Sequence, residues 1–220
     1  MRKFDAVLWD LDGTLLNTLA DLTDSVNYAL ASYGMPERTQ AQVCSYIGTG
    51  ARNLIALAVV PSTNNAKIDE ICTFFREYYA KNCDIKTGPY EGVLDLLKKL
   101  KNEGIKLAII SNKPDRATKI LSKRYFGDFV DIAVGENEAA GIRRKPAPDA
   151  VLAAIDELGV EKERCVYIGD SETDVLTAKN SGLPCISVTW GYRDRETLIK
   201  SGAEKLIDTA AELEEFLLKN

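Results

Sequence analysis

The chain has 220 residues, 45% hydrophobic and 28% charged, with a formal net charge of −5. These are ordinary globular values, and the length allows one core domain that carries a smaller second one. The mixed, slightly acidic charge excludes a basic surface for nucleic acid or an anionic membrane. No stretch approaches the roughly 20 apolar residues of a membrane span, and the N-terminus lacks a signal-peptide pattern, so we expect a cytoplasmic protein.

Missing residue types limit the chemistry. Histidine is absent, which excludes Ser-His-Asp and Cys-His catalysis and histidine-ligated metal sites. The five cysteines are scattered without a CxxC pair, which indicates reduced, mostly buried thiols. Any catalysis must therefore use carboxylates, lysines and hydroxyls.

The first predicted strand covers residues 4–9 and runs directly into Asp10-Leu11-Asp12. With one residue between them, both aspartates of an extended segment point the same way. Two such carboxylates repel each other unless a cation or a proton lies between them. A surface turn is the alternative at this point, because Asp-Gly is a common turn dipeptide.

Residues 17–84 follow a different pattern. Apolar residues recur at helical spacing from Leu19 to Tyr33, and a second long helix is predicted around residues 68–79. Thr18 with Asp21 predicts an N-terminal cap for the first of these helices. No strand is predicted between them, which indicates a helical block inserted after the first strand.

We therefore predict a cap domain at residues 17–85, between core segments 1–16 and 86–220, with hinges near Leu16 and residues 86–89. In the second core segment apolar runs alternate with helical patterns. Buried strands are predicted at 106–110, 131–134, 165–168 and 185–188, and helices at 91–103 and 148–158. Val93, Leu94, Leu97 and Leu100 are expected on one buried helix face, and Val151, Leu152, Ile155 and Leu158 on another. This alternation predicts an α/β fold with a Rossmann-like parallel sheet.

Polar residues lie next to three of the later predicted elements. Ser111-Asn112 ends the second core strand, Lys145-Pro146 precedes a helix, and the segment 169–174 places Asp170 and Asp174 after the fourth core strand. Carboxylates that converge from two strand ends form an oxygen site suited to Mg²⁺. A first strand between the second and fourth would create the switch point where α/β proteins bind ligands. Taken singly, each has an ordinary alternative. Ser111-Asn112 is a common loop start, Lys145 would be a solvated lysine, and Asp170 and Asp174 would cap a helix.

Together these segments resemble the four ordered motifs of the haloacid dehalogenase-like hydrolases. DxDGT lies at residues 10–14, and the inserted block resembles that family's first class of helical cap. Segments 46–52, 145–149 and 190–193 are similar to bacterial phosphoglycolate phosphatases. One departure is Asn17-Thr18, where those enzymes commonly carry Asp-Ser, and it weakens the substrate assignment.

The resemblance implies a role for each motif. Asp10 would be the nucleophile that forms an aspartyl-phosphate, and Asp12 the general acid and base. Mg²⁺ would be bound by Asp10, Asp170 and the backbone carbonyl of Asp12, with Asp174 as a direct or indirect ligand.

The remaining implied roles concern the substrate. Ser111, Asn112 and Lys145 would stabilise charge on the phosphoryl oxygens. In the cap, Gly48 would allow close backbone approach, and Arg52 would meet a substrate carboxylate or phosphate. The expected partner is a small phosphorylated metabolite such as 2-phosphoglycolate.

Several alternatives remain at this level. Asp12 argues against a metal-free dehalogenase, and the cap lysines Lys67 and Lys81 lack the setting of a phosphonate hydrolase. A β-phosphoglucomutase-like phosphotransferase, a pyrophosphatase and a nucleotidase share the core motifs. A receiver domain would be about half as long, and an inactive regulatory homologue should lack one of the motif residues. The oligomeric state is open.

Overall fold

The structure is a computed structural model that describes residues 3–138 and 141–219. Its strands are β1 (Ala6–Trp9), β2 (Leu16–Asn17), β3 (Gly88–Pro89), β4 (Lys106–Pro114), β5 (Ile132–Glu136), β6 (Cys165–Gly169), β7 (Cys185–Val188) and β8 (Leu206–Ile207). Its helices are α1 (Leu19–Ser32), α2 (Gln40–Tyr46), α3 (Ala51–Ala58), α4 (Asn65–Asn82), α5 (Val93–Asn102), α6 (Asp115–Phe126), α7 (Asp149–Leu158), α8 (Glu172–Ser181), α9 (Arg195–Lys200) and α10 (Ala210–Leu218).

Six strands form one parallel sheet in the order β5-β4-β1-β6-β7-β8. The predicted α/β, Rossmann-like fold is confirmed, and β1 lies between β4 and β6 as the switch point requires. Trp9, at the end of β1, is in register with Ile109 on one side and Ile168 on the other. The carboxyl ends of three central strands therefore meet at one edge, directly before Asp10.

Strand β1 is buried on both faces, because helices cover both sides of the sheet. Val7 and Trp9 belong to one apolar cluster, and Ala6 and Leu8 belong to the other. This alternation is the two-residue period of a strand. The apolar run therefore fixes β1 in the centre and holds the segment that follows it.

Two details of the predicted helix faces are wrong. Leu94 is 40% exposed and Leu152 is 41% exposed, whereas Leu96 of α5 is buried. Each helical residue is rotated by about 100° from the one before it, so Leu94 lies beside the buried stripe that begins at Val93.

The helices α1 to α4 lie between β1 and β3 in the chain, and β2 pairs with β3 in antiparallel fashion. Asn17 is the pairing partner of Gly88, so the two predicted hinges lie side by side. The division into a cap at 17–85 and core segments 1–16 and 86–220 stays a prediction. Residues 1–2, 139–140 and 220 of those core segments lie outside the described residues.

The predicted N-terminal cap of α1 is wrong in its contacts. Thr18 occupies the N-cap position, but its side chain makes no capping hydrogen bond. The carboxylate of Asp21 accepts hydrogen bonds from the backbone N–H groups of Lys86 and Thr87. Asp21 therefore ties the start of α1 to residues 86–87, within the second predicted hinge.

The five cysteines are free thiols, as predicted. Among the helices of residues 3–138 and 141–219, none combines the length and the hydropathy that a bilayer crossing requires.

Candidate active site

A cavity of about 50 Å³ lies at the carboxyl edge of the sheet, beneath α1, α3 and α4. Seven of the predicted site residues line it: Asp10, Asp12, Gly48, Ser111, Asn112, Lys145 and Asp170. Asp174 lies behind this lining and is fully buried. The structure thus brings together segments that are far apart in the chain, as the motif order predicts.

Asp10 is positioned by the sheet, because its backbone N–H donates to the carbonyl of Ile168 on β6. Its side chain pairs with Lys145, whose Nζ lies 2.8 Å from Asp10 Oδ1. Lys145 Nζ also contacts Asp174 Oδ1 at 2.8 Å and the hydroxyl of Tyr167 at 3.0 Å. All three N–H bonds of this ammonium are therefore matched by partners.

Both oxygens of the Asp174 carboxylate accept hydrogen bonds. Its Oδ1 accepts from Lys145 and Tyr167, and its Oδ2 accepts from the backbone N–H and the hydroxyl of Ser171. Four hydrogen bonds use the acceptor positions of one carboxylate. Asp174 thus has the contacts of a residue that orients Lys145.

Each oxygen of the Asp170 carboxylate accepts one hydrogen bond from the described residues, so each can bind a further donor or a cation. Its Oδ1 accepts from the hydroxyl of Thr14 at 3.1 Å, and its Oδ2 accepts from the backbone N–H of Tyr192 at 2.7 Å. Gly13 has φ of +86°, and a β-carbon there would overlap the Asp170 carboxylate. The glycine of the DxDGT segment is therefore required for the close approach of the two loops.

Asp10, Asp170 and Asp174 offer carboxylate oxygens that all lie within 4.8 Å of one another. Opposite ligands of an octahedral Mg²⁺ lie about 4.2 Å apart, so this spacing fits a small hard cation. Three buried carboxylates face the single ammonium of Lys145, which leaves an excess of negative charge. Asp10 and Asp170, which retain free acceptor positions, are the residues best suited to direct contact with a metal.

Burial and the neighbouring Asp174 carboxylate raise the pKa of Asp10 to about 7, although Lys145 opposes the shift. Burial, with the charges of Asp174 and Asp10, also raises the pKa of Asp170 well above its usual value. Burial alone would lower the pKa of Lys145, but Asp10 and Asp174 raise it, so that the group stays charged. The site therefore favours a cation next to Asp10 and Asp170.

Asp12 has different neighbours from Asp10. Its Oδ1 accepts from the hydroxyl of Thr18 at 2.5 Å and from Nζ of Lys113 at 2.6 Å. Its carboxylate is not part of the acidic trio, and the expectation that its backbone carbonyl binds metal stays a prediction. The hydroxyl of Tyr192 lies 3.1 Å from that of Thr18 and extends this network.

Sequence reasoning missed Lys113 and Thr18 as site residues. Lys113 directly follows Ser111-Asn112 in a segment where the β4–β5 register shifts, and its side chain is only 1% exposed. A lysine beside a predicted loop is normally solvated, so the pattern gave no reason to select it. Thr18 was assigned a capping role, which its hydrogen bond to Asp12 replaces.

Asn112 connects two segments of the site. Its side-chain amide accepts from the backbone N–H of Lys145 and donates to the carbonyl of the same residue. The same amide nitrogen donates to the carbonyl of Gly48 at 2.9 Å. Ser111 Oγ accepts from the backbone N–H of Lys113. Ser111 and Asn112 thus order the loop that faces the cavity.

The segment from Cys44 to Thr49 is bound to the core through its backbone carbonyls. Arg193 donates to the carbonyls of Cys44 and Ile47, at 3.2 and 2.8 Å, and Arg144 donates to that of Thr49 at 3.0 Å. With the bond from Asn112 to Gly48, side chains from strand β4 and from the loops that carry Arg144 and Arg193 hold this segment over the cavity. We call residues 44–49 the cap loop; they comprise the end of α2 and the connection to α3.

The structure does not bring Arg52 to the cavity. Its Nε donates to Asp69 at 2.6 Å, a guanidinium nitrogen donates to Asn65, and the side chain is 43% exposed. The expected substrate contact of Arg52 stays a prediction that this placement does not support: the residue follows the start of α3, but its guanidinium pairs with α4. Gly48, with φ of +119°, does lie at the cavity.

Comparison with known proteins agrees with this arrangement. The family model described as haloacid dehalogenase-like hydrolase matches residues 7–188. "Phosphoglycolate phosphatase 1" of Pseudomonas aeruginosa is 35% identical over 94% of this chain and 77% of its own length. An N-acetylmuramic acid 6-phosphate phosphatase of the same species is 28% identical over 96% of this chain and 93% of its own.

Among solved structures, a candidate phosphoglycolate phosphatase from Lactobacillus delbrueckii subsp. bulgaricus superposes with a TM-score of 0.92. It is 38% identical, and the match covers 100% of both chains. The family model spans most of this chain, from β1 through β7. The chain therefore belongs to the haloacid dehalogenase-like hydrolases.

Proposed function

We propose that this protein is a Mg²⁺-dependent phosphatase that hydrolyses a small phosphate monoester, 2-phosphoglycolate, through an aspartyl-phosphate on Asp10. The observation that carries the proposal is the pairing of Asp10 at the switch point. One oxygen of this carboxylate is held by Lys145, and no hydrogen bond to the other is found within the described residues. Asp10 itself lines the cavity, together with Ser111, Asn112 and Asp170.

In the first step the Asp10 carboxylate attacks phosphorus, and the bond from phosphorus to the ester oxygen breaks. Asp12 donates a proton to the departing oxygen, so that the product leaves as an alcohol. In the second step Asp12 takes a proton from water, the water oxygen attacks phosphorus, and the carboxylate of Asp10 is released with inorganic phosphate. Thr18 and Lys113 hold Asp12 in place for both transfers.

The charge of the phosphoryl group needs compensation throughout. Lys145 lies beside Asp10, and the loop of Ser111 and Asn112 supplies polar groups to the phosphoryl oxygens. Mg²⁺ held by Asp10 and Asp170 would supply further positive charge there, because hard oxygen ligands suit this ion. Removing one such preorganised contact typically costs about 3–4 kcal/mol of transition-state stabilisation.

The substrate assignment has two supports. Curated relatives at 30–35% identity are named phosphoglycolate phosphatase, and the cavity has a volume of about 50 Å³. One water requires roughly 10–15 Å³ of such volume, so the space favours a small phosphate ester over a bulky one. A sugar phosphate would need a wider opening between cap loop and core.

The test is phosphate release by the purified protein from 2-phosphoglycolate and from p-nitrophenyl phosphate, with Mg²⁺ and with a chelator. We expect turnover with Mg²⁺, and none for the Asp10→Asn variant, because an amide is not the required nucleophile. Asp95→Asn, an exposed position on α5, is the matched control and should keep wild-type turnover. A wild-type protein that released no phosphate from any ester would contradict the proposal. Phosphoryl transfer between sugar phosphates without release would favour the mutase alternative.

A further inference from the structure

Three described cationic side chains line the cavity: Lys113, Lys145 and Arg193. Lys145 has three partners for its three N–H bonds. Each nitrogen of the Arg193 guanidinium already donates, to Glu172 or to a cap-loop carbonyl. Lys145 therefore has no donor left, and the three hydrogen bonds of Arg193 direct its guanidinium toward Glu172 and the cap loop.

Lys113 differs from Lys145 and Arg193 in the number of its hydrogen-bonding partners. Its ammonium has one hydrogen-bonding partner within the described residues, Asp12 Oδ1, and otherwise faces the ring of Tyr79 at 4.6 Å. An ammonium has three donors, and this one is buried, with a side chain only 1% exposed. Lys113 thus has donor capacity left, at a place where water is scarce and an anion would be bound strongly.

The location of Lys113 limits which part of a substrate it can reach. Asp12 exchanges its proton with the ester oxygen, and Lys113 Nζ lies 2.6 Å from Asp12. In glycolate the carboxylate oxygens lie roughly 3–4 Å from the ester oxygen, as ordinary bond lengths dictate. An anion on the carbon next to the ester carbon would therefore fall within reach of Lys113.

Among the described residues, the helices α1, α3 and α4 bring no cation to the lining of the cavity. Leu22, Leu54 and Phe75 contribute apolar surface there, and Arg52 is engaged with Asp69 away from the cavity. An apolar wall disfavours an unpaired charge. A charged leaving group would therefore turn its anionic end toward Lys113.

We propose that Lys113 is a specificity-determining residue, which binds a second anionic group on the leaving part of the substrate, the carboxylate in 2-phosphoglycolate. This inference rests on the proposed phosphatase function. It assigns Lys113 a contact with the substrate in addition to its contact with Asp12. If Lys113 only positioned Asp12, its replacement would lower kcat/KM for every phosphate ester by the same factor.

The experiment compares kcat/KM for 2-phosphoglycolate with that for ethyl phosphate, which has the same two carbons and no carboxylate. A charge-assisted hydrogen bond should give the wild type a preference of about 10- to 100-fold for 2-phosphoglycolate. In Lys113→Met, which keeps most of the length of the side chain without its charge, the preference should fall to about threefold or less. Lys119→Met, on the exposed face of α6 where Lys119 pairs with Asp115, should keep the wild-type ratio.

Because the ratio of two substrates is measured on one protein sample, a loss of active protein cancels from it. Lys113→Gln provides a second neutral variant if Lys113→Met does not fold, and circular dichroism checks both. An equal fall for both substrates would show that Lys113 acts through Asp12 alone, and would overturn the proposal. A wild type that cleaves both esters equally well would overturn it and leave the phosphatase function intact. A wild type inactive on both esters and on p-nitrophenyl phosphate would remove the proposed function itself, and this inference with it.

Discussion

Asp10 and Asp12 are two residues apart, yet each has its own buried lysine. Lys145 pairs with Asp10 at 2.8 Å, and Lys113 pairs with Asp12 at 2.6 Å. Taking an ammonium out of water is costly, and pairing with a carboxylate offsets that cost. Each lysine also fixes the direction of its aspartate, which suits a nucleophile and an acid/base that serve different atoms of one substrate.

The same burial predicts that the proposed metal binding depends on pH. Burial raises the pKa of Asp10 from 3.8 to about 7, so below pH 7 the carboxyl group holds a proton that a metal must displace. We therefore expect Mg²⁺ affinity to increase from pH 5.5 to pH 8, by up to about tenfold per unit for one released proton below the pKa. Calorimetric titration of the wild-type protein with Mg²⁺ at several pH values measures this.

Asp10→Asn is the control for this prediction. An amide does not titrate in this range, so in the variant any remaining Mg²⁺ affinity should depend less steeply on pH. Wild-type affinity that stayed constant between pH 5.5 and pH 8 would contradict the role of Asp10 as a protonated ligand.

The residues of the site could be predicted to the extent that they end strands. Asp10, Ser111 and Asp170 follow apolar runs, and the sheet brings such positions together whatever the intervening chain does. Lys113 and Arg52 could not be assigned in this way. Whether a long side chain turns inward or pairs on the surface depends on neighbours from other segments, here Asp12 for Lys113 and Asp69 for Arg52.

At the scale of elements, the cap loop at residues 44–49 joins α2 to α3 and offers four of its carbonyls to the core. Arg193 is central to this contact, because its guanidinium binds two carbonyls and Glu172 at the start of α8. Through Arg193, the loop that follows β7 thereby connects the start of α8 to the cap loop. Closure excludes water from a reacting phosphate ester.

We expect Arg193→Met to weaken this closed arrangement, since methionine keeps part of the stem and loses every donor. Loss of two hydrogen bonds from a charged group should lower kcat/KM for 2-phosphoglycolate by about 10- to 100-fold. Backbone amides of α3 should exchange faster in hydrogen–deuterium exchange, because opening of the loop exposes that helix. Arg195→Met, two residues further on, is the matched control, since Arg195 pairs with Asp208 instead. Unchanged exchange in α3 for Arg193→Met would contradict this role of Arg193.

At the scale of the whole molecule, the apolar core runs through both parts of the chain. Ile55 and Phe75, from α3 and α4, belong to the same buried cluster as Val93 and Ile168. The alternation of strand and helix patterns predicted the parallel sheet. The two-residue strands β2, β3 and β8 could not be predicted, because so short a segment shows no alternation. Pairing of β2 with β3 is nevertheless what brings the two hinges together.

That pairing leads to a test of the cap as a separate domain. Asn17 and Gly88 are antiparallel partners, so residues 18–87 can be replaced by an Asn-Gly turn, which favours a two-residue hairpin. If 17–85 is a domain inserted into an independent core, the shortened chain should unfold cooperatively on heating, at a lower temperature because the shared cluster loses its cover. It should retain a Mg²⁺-dependent rise in Tm, which Asp170→Asn in the same shortened chain should abolish. Lack of a cooperative transition would contradict the division, because the helices α1 to α4 would then belong to one indivisible core.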